Sequence, residues 1–185
     1  VWLRERGMAR AATKASRTAA EGLVEIAVSA DNKNAAIVEF NCETDFSAKN
    51  ADFTNFSRRL AQLALANKTE DVEQLKNASM DGQIVADTLA HLIAKVGENM
   101  NIRRVQFVHM PNGLVASYNH MAGRIGVLVA MDGNASDATL ELGRDLAMHI
   151  AASAPRYFDR TFVSTGELEQ EKEIARLEKE IASLP

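Results

Sequence analysis

The cysteine and the histidines are the side chains of this chain whose chemistry could serve catalysis or metal binding. Cys42 could act as a nucleophile only beside a general base, and no neighbouring residue supplies one, so a buried strand cysteine is the simpler interpretation. The four histidines, at positions 91, 109, 120 and 149, fall in different predicted elements rather than at zinc-ligand spacing. Glycine-rich phosphate-binding motifs, G-x-S-x-G and H-E-x-x-H are absent. We therefore predict a protein that is not an enzyme and holds no cofactor or metal ion, with a catalytic site around Cys42 and His120 as an open alternative.

Residues 41–49, with the sequence NCETDFSAK, indicate a different kind of chemistry. At their centre, Thr44 precedes a carboxylate, Asp45, and a large apolar ring, Phe46, between a predicted strand and a predicted helix. An acid beside an exposed ring would suit contact with another protein. The alternative is structural, because Phe46 could close the end of a core while Asp45 caps the following helix. The residues alone leave both interpretations open.

The elements around this stretch are predicted from apolar periodicity. Alternation indicates strands over residues 22–28 and 35–40, joined through turn residues 31–34 as a hairpin. Apolar residues at spacings of three and four predict a helix over 51–67. We predict a shorter helix capped by Thr69, and then a helix from residue 81 or 82 to 96.

The second half of the chain repeats this order at a spacing of about 90 residues. Strands predicted over 101–108, 113–118 and 124–130 form a meander, and a helix over 137–153 ends before Pro155. The repeat indicates a unit, present twice, in which an antiparallel sheet carries helices on one side. The tail, 167–184, has the apolar spacing of a coiled coil.

The first twenty residues are rich in alanine and arginine, which predicts a helix from Trp2 to about Ala20. This helix has no cap residue ahead of it, so we expect the chain to be a fragment or a processed protein. Its basic side chains could contact RNA, although a solvated helix face explains them as well. The net charge of −4 argues against a dedicated nucleic-acid binder, and an RNA- or ribosome-associated module is kept as the second hypothesis.

The compartment is inferred from features that the sequence lacks. One cysteine forms no intrachain disulfide, and neither a bilayer-spanning apolar run nor the charge order of a signal peptide is present. We expect a soluble, intracellular protein.

Four blocks of the sequence together resemble the elongation factor Ts family of bacteria and organelles. The blocks are residues 41–49, 96–104, 117–129 and 146–155, in the order in which the family has them. They extend over most of the chain. The resemblance implies an α+β fold with two related subdomains, each a small antiparallel sheet with helices packed on one side, followed by the start of a helical hairpin. It implies a remnant of an N-terminal domain over residues 1–20, core subdomains over 21–100 and 101–163, the second incomplete, and the first arm of a coiled-coil hairpin over 164–185.

The same resemblance implies a function and a set of contact residues. The family exchanges guanine nucleotide on elongation factor Tu, and the T-D-F motif enters that partner near its magnesium site, which assigns partner contact to Thr44, Asp45 and Phe46. His120 matches a second family contact, with a polar strand-end residue as an equally weighted alternative. The chain itself is expected to bind no nucleotide and no membrane, to have a homodimer contact through the coiled coil, and to reside in a bacterial cytoplasm rather than a mitochondrial or plastid matrix.

Overall fold

The structure, a computed structural model, describes Ala9 and residues 12–183. These residues form two compact units, one that ends at Ala152 and one that begins at Ser153. The strands are β1 (Glu21–Val28), β2 (Asn34–Cys42), β3 (Ser79–Met80), β4 (Gln83–Ile84), β5 (Met100–His109), β6 (Gly113–His120) and β7 (Ile125–Asp132). The helices from residue 45 onward are α1 (Asp45–Ala48), α2 (Ala51–Asn67), α3 (Val72–Asn77), α4 (Val85–Val96), α5 (Asp137–Ser153), a 3₁₀ turn (Arg160–Phe162) and α6 (Thr165–Ala182). Small antiparallel sheets with packed helices confirm the α+β class.

The first hairpin is confirmed, and it forms the floor of the main core. Strands β1 and β2 pair antiparallel, and α2 packs on both of them. The ring of Phe40 stacks on that of Phe53 with centroids 4.4 Å apart and lies 5.2 Å from that of Phe56, so three aromatic side chains fix the helix on the sheet. Helices α3 and α4 complete the apolar cluster.

The predicted meander of three strands is wrong, because β5 pairs with β2 and β6 pairs only with β7 among the described strands. Apolar alternation indicates that a strand exists, but it does not say which edge the strand will join. The result is one sheet of order β1-β2-β5 and a separate β6-β7 hairpin. The division of the chain after residues 20, 100 and 163 stays a prediction.

Two helix boundaries differ from the prediction. Asp71, not Thr69, caps α3, since its carboxylate accepts a hydrogen bond from the Gln74 amide at 2.7 Å while Thr69 is buried. Helix α4 begins at Val85 rather than at residue 81 or 82, because Asp81 and Gly82 take positive φ angles and turn a short β3-β4 hairpin.

The helix predicted from Trp2 to Ala20 falls partly outside the described residues. Ala9 and Ala12 are helical, but turns follow and residues 18–20 have no regular structure. The chain leaves the helix where the Asn99 side-chain amide donates to the carbonyl groups of Ala15 and Arg17.

The second hairpin resembles the first in its register and in the helix to which it leads. Gly22 pairs with Asn41, and Gly113 pairs with Asp132. Each member of the second pair therefore lies 91 positions after its counterpart in the first pair. Each hairpin leads to a helix of 17 residues, α2 and α5. A side chain at Gly143 of α5 would lie 2.5 Å from the Ala116 Cβ, so this helix approaches β6 very closely.

The β1-β2-β5 sheet and the β6-β7 hairpin contact each other through main-chain groups. The Val24 amide donates to the Gly123 carbonyl at 2.7 Å, and the Val115 amide donates to the Asn32 carbonyl at 2.6 Å. A Cβ at Gly126 would lie 2.5 Å from the Val24 side chain, so glycine lets β7 lie against β1. The β6-β7 hairpin is therefore fixed on the first sheet.

The second unit consists mainly of α6. Ser164 and Glu167 form a capping box at its start, where each side chain accepts from the other's backbone amide. On this helix, the residues that follow the coiled-coil spacing are exposed, namely Ile174, Leu177 and Ile181. A homodimer contact through this helix stays a prediction. Among the described residues, no helix combines the length and the apolar character needed to cross a membrane.

Candidate functional site

Phe46 lies on α1, a single helical turn that comes directly after the end of β2. Its side chain is 82% exposed, while the next two residues, Ser47 and Ala48, are buried. The turn is thus fixed to the protein by one side and presents the ring to solvent on the other. The interpretation in which Phe46 closes the core is wrong.

Asp45 is the first residue of α1 and does not cap it. The cap is Thr44, whose hydroxyl accepts a hydrogen bond from the Ser47 amide at 3.3 Å. The Asp45 carboxylate instead pairs with Lys49 one turn further on, at 2.7 Å. The hydrogen bond from Lys49 lowers the pKa of Asp45 from its ordinary value, so an ionised carboxylate paired with Lys49 lies beside the ring. We call residues 44–48 the tip.

The base of the tip is buried. Cys42 is buried, and its thiol donates to the Thr44 carbonyl at 3.2 Å. Burial, together with the negative charge of Glu98, raises the pKa of this thiol to about 12. The neutral thiol is a poor nucleophile, and its hydrogen bond goes to the backbone rather than to a general base. Cys42 therefore serves packing at the tip.

Two carboxylates connect the tip to the loop that joins α4 to β5. Glu98 accepts from the Thr44 hydroxyl at 2.7 Å and from the Thr44 amide at 3.1 Å. In the opposite direction, Glu43 accepts from the Asn99 amide at 2.5 Å. We call this reciprocal pair the clamp. Neither Glu43 nor Glu98 was singled out as functional from the sequence, although both lie inside the blocks 41–49 and 96–104.

His120 lies at the end of β6, where the hairpin turns. Its Nδ1 atom and the Tyr118 hydroxyl are 2.8 Å apart and share a hydrogen bond. The following residue, Met121, is 70% exposed and has a positive φ of 50°. An exposed apolar side chain thus occurs here as well. Met121 was missed from the sequence, although an apolar residue before Ala-Gly in a predicted turn was a usable signal.

The tip and the β6-β7 turn lie at the same end of the first unit. Arg124, in that turn, forms an ion pair with Glu21 at 2.5 Å, and Glu21 is the residue opposite Cys42 in the first hairpin. The positive charge of Arg124 also helps to lower the pKa of Asp45, after the larger effect of Lys49. The structure therefore brings together the two segments that contain Thr44, Asp45, Phe46 and His120.

The connection that carries the tip is longer than the matching connection after the second hairpin. In the first half, residues 43–50 connect the hairpin to its 17-residue helix, whereas residues 133–136 make the same connection in the second half. The shorter connection has no helical turn and no aromatic side chain. A simpler connection can thus join a hairpin to a helix, and the longer one differs from it by carrying the tip.

The described residues contain no candidate metal site. No group of three or more histidine, cysteine, aspartate or glutamate side chains among them is arranged to hold a metal ion. The open feature of this end of the molecule is an acidic and apolar projection, which is suited to contact with a macromolecule.

A comparison with protein families and a comparison with individual proteins indicate the same family. The family model described as Elongation factor TS matches residues 43–183. The protein named Elongation factor Ts from Clostridium kluyveri is 46% identical over 180 residues, which are 95% of this chain and 59% of that relative. Its Clostridium botulinum counterpart is 44% identical with the same coverage, and that of Clostridium perfringens is 46% identical over 94% of this chain and 58% of the relative. The chain thus spans less than two thirds of the length of these relatives. The match begins at Glu43 and takes in the tip, the β6-β7 turn and α6, and on this basis the chain belongs to the elongation factor Ts family.

Proposed function

We propose that this chain acts in translation elongation as a guanine nucleotide exchange factor for elongation factor Tu. The tip would enter the partner near its magnesium and nucleotide site and promote the release of GDP. The observation that carries the proposal is the 82% exposure of Phe46 on a helical turn that is capped and hydrogen-bonded at its base. An exposed ring on a fixed support loses little conformational entropy when a partner covers it.

Phe46 would supply most of the free energy at this contact. Transfer of the ring from water to an apolar pocket is worth about 1.5–3 kcal/mol. This corresponds to about 10- to 150-fold in an equilibrium constant. If the pocket opens only when the partner's nucleotide site is distorted, that free energy offsets the distortion.

Asp45 would act on the partner's magnesium through its charge. An ionised carboxylate is an acceptor only, so it can rearrange the water and hydrogen bonds around a cation without ligating it. By thermodynamic reciprocity, GDP and the exchange factor weaken each other's binding to the same degree. Either guanine nucleotide can therefore displace the factor, and no covalent step is required.

His120 and Met121 would form a second contact beside the tip. Thr44 would act within the chain and at the rim of the contact, since its hydroxyl already has two hydrogen-bond partners. The chain would bind no nucleotide by itself. Because the relatives are Clostridium proteins named Elongation factor Ts, we place this activity in a bacterial cytoplasm.

The RNA-binding hypothesis has less support. In the described part of the basic segment, Lys14 donates to the Gly97 carbonyl and Arg17 pairs with Glu43 at 3.6 Å. These two cations are already used within the chain.

The test is the release of fluorescent GDP from elongation factor Tu. We expect the chain to accelerate release, and the double variant Asp45→Ala with Phe46→Ala to lose most of the acceleration. Glu70→Ala is the matched control, because it removes an exposed carboxylate far along the chain from the tip. No acceleration by the chain, or full activity in the double variant, would refute the proposal.

A further inference from the structure

We infer that the clamp formed by Glu43 and Glu98 positions Phe46 for the partner, with Glu98 as the decisive positioning residue. The inference rests on the proposed function for its consequence in nucleotide exchange. Its structural part concerns the free protein and can be tested without a partner.

The clamp is reciprocal in its geometry. The side chain of Glu98 accepts from the backbone amide of Thr44 at 3.1 Å, and the side chain of Glu43 accepts from the backbone amide of Asn99 at 2.5 Å. In each of the two segments, one residue supplies a side-chain acceptor and its neighbour supplies the backbone amide bound by the other segment. Hydrogen bonds to charged acceptors are about twice as strong as neutral ones. The two segments therefore move together.

Glu98 also orients the hydroxyl that starts the tip helix. The Thr44 hydroxyl donates its proton to Glu98 at 2.7 Å, so its lone pairs are left to accept from the Ser47 amide at 3.3 Å. Without the carboxylate, the hydroxyl proton could rotate toward other acceptors and the cap would weaken. Because Phe46 lies between Thr44 and Ser47, the orientation of its backbone depends on this chain of hydrogen bonds.

The loop that holds Glu98 is itself fixed. Gly97 ends α4 with a φ of 90°, and its carbonyl accepts from Lys14. The Asn99 side chain donates to the Arg17 carbonyl at 2.6 Å, and the next residue, Met100, pairs with Cys42 in the sheet. The clamp therefore transmits the rigidity of the sheet and of the segment 14–17 to the tip.

The first test is amide hydrogen exchange in the free protein. We expect Glu98→Ala to speed exchange of the Ser47 amide about tenfold, since a charge-assisted support of its acceptor is lost. Exchange at Val38, in the buried sheet, should stay unchanged, which shows that the variant is folded. Glu98→Gln retains one acceptor oxygen and should give an intermediate rate. Unchanged protection of Ser47 in both variants would overturn the inference.

The second test is a double-mutant cycle in the GDP-release assay. We expect Glu98→Ala to reduce acceleration about tenfold when Phe46 is present and less than about twofold when Phe46 is already alanine, because its effect passes through the ring. Equal losses in both backgrounds would mean that Glu98 touches the partner or supports the fold, and would overturn the inference. If the unaltered chain fails to accelerate release, the proposed function fails, while the hydrogen-exchange result still decides the positioning role.

Discussion

At the scale of single residues, the tip combines one exposed apolar side chain with neighbours that are buried. Phe46 leaves most of its surface in water, although Ser47 and Ala48 beside it are buried. A lone exposed phenylalanine contributes little to folding, so the capped and clamped turn can present this ring to a partner at little cost in stability.

The first prediction is that Phe46→Ala changes activity and leaves stability unchanged. The ring is 82% exposed, so the free energy of unfolding should move by less than about 0.5 kcal/mol. The rate of GDP release should fall by about 10- to 150-fold relative to the unaltered chain. Urea denaturation and the fluorescent-GDP assay measure the two effects.

Phe53→Ala is the matched control for that prediction. Its ring is fully buried against Phe40, so the free energy of unfolding should fall by about 3–5 kcal/mol. A Phe46→Ala variant destabilised to the same degree would mean that Phe46 belongs to the core.

The second prediction concerns the pH dependence of Cys42. The pKa of its thiol is about 12 because the group is buried near Glu98 and Glu21, with Arg124 acting in the opposite direction. At pH 8, only about one molecule in ten thousand should carry the thiolate, so alkylation by iodoacetamide should be very slow until the protein is unfolded. Stability linked to this group should be complete below the ordinary pKa of 9.0 and decline as the pH rises toward 12, since only the unfolded thiol ionises in that range. A native alkylation rate equal to that of the urea-unfolded chain would contradict the assignment.

At the scale of elements, each hairpin depends on one glycine near its start. A side chain at Gly22 would overlap the Phe40 carbonyl oxygen, and one at Gly113 would overlap the Met131 carbonyl oxygen. Gly22 also has a φ of 147°, which other residues rarely adopt. The two glycines pair with equivalent positions, so the same close approach of backbones has been kept in both halves.

The third prediction is based on this contact. Gly22→Ala and Gly113→Ala should each lower the free energy of unfolding by about 2–4 kcal/mol, because the strands must separate to admit a methyl group. Gly166→Ala is the control: it has open space around it at the start of α6 and should be neutral or slightly stabilising. Thermal unfolding of the three variants provides the measurement. A loss below about 0.5 kcal/mol at both Gly22 and Gly113 would contradict the close approach of the strands.

Elements whose signals are local were predictable from the sequence. The helices at 51–67 and 137–153 have the predicted bounds, because caps, apolar stripes and a following proline mark their ends within a few residues. The β3-β4 hairpin was missed although Asp81-Gly82 is a strong turn signal, since the helical periodicity around it extended through the turn. The pairing of β5 with β2 could not be predicted, because strands separated by a long connection leave no pairing signal in one sequence.

The candidate site was predictable only in part. Residues 44–46 could be selected as unusual, but their composition did not decide between a core ring and an exposed one. Exposure depends on how the backbone leaves β2, at a point where Thr44 donates two hydrogen bonds to Glu98, a residue far along the chain. The β6-β7 turn lies near the tip, with Met121 exposed on it, because the β6-β7 hairpin packs on the β1-β2-β5 sheet; this was not visible in the sequence.

At the scale of the whole molecule, two hairpins of matching register each lead to a helix of 17 residues, and their connections differ. The connection at 43–50 carries the tip, and the corresponding connection at 133–136 carries none. The first sheet and its helices supply a rigid base for the tip. The β6-β7 hairpin places its turn at the same end of the first unit. The architecture thus suits a protein that acts by presenting a fixed surface rather than by enclosing a substrate.

The fourth prediction uses the overall charge. With a net charge of −4, the chain should bind RNA no more tightly than a non-specific binder, with a dissociation constant above about 1 µM at physiological salt. Filter binding to ribosomal RNA fragments between low and physiological salt is the measurement. Tight binding that weakens steeply with salt and persists after Asp45→Ala with Phe46→Ala would instead favour the RNA-associated module.

The most direct test of the central claim is a structure of this chain bound to elongation factor Tu. We predict that the Phe46 ring is buried in the partner's GTPase domain beside its magnesium site, with Asp45 near the cation's water shell and Met121 at the edge of the interface. A complex in which Phe46 stays exposed to solvent, or lies away from the nucleotide site, would contradict the account.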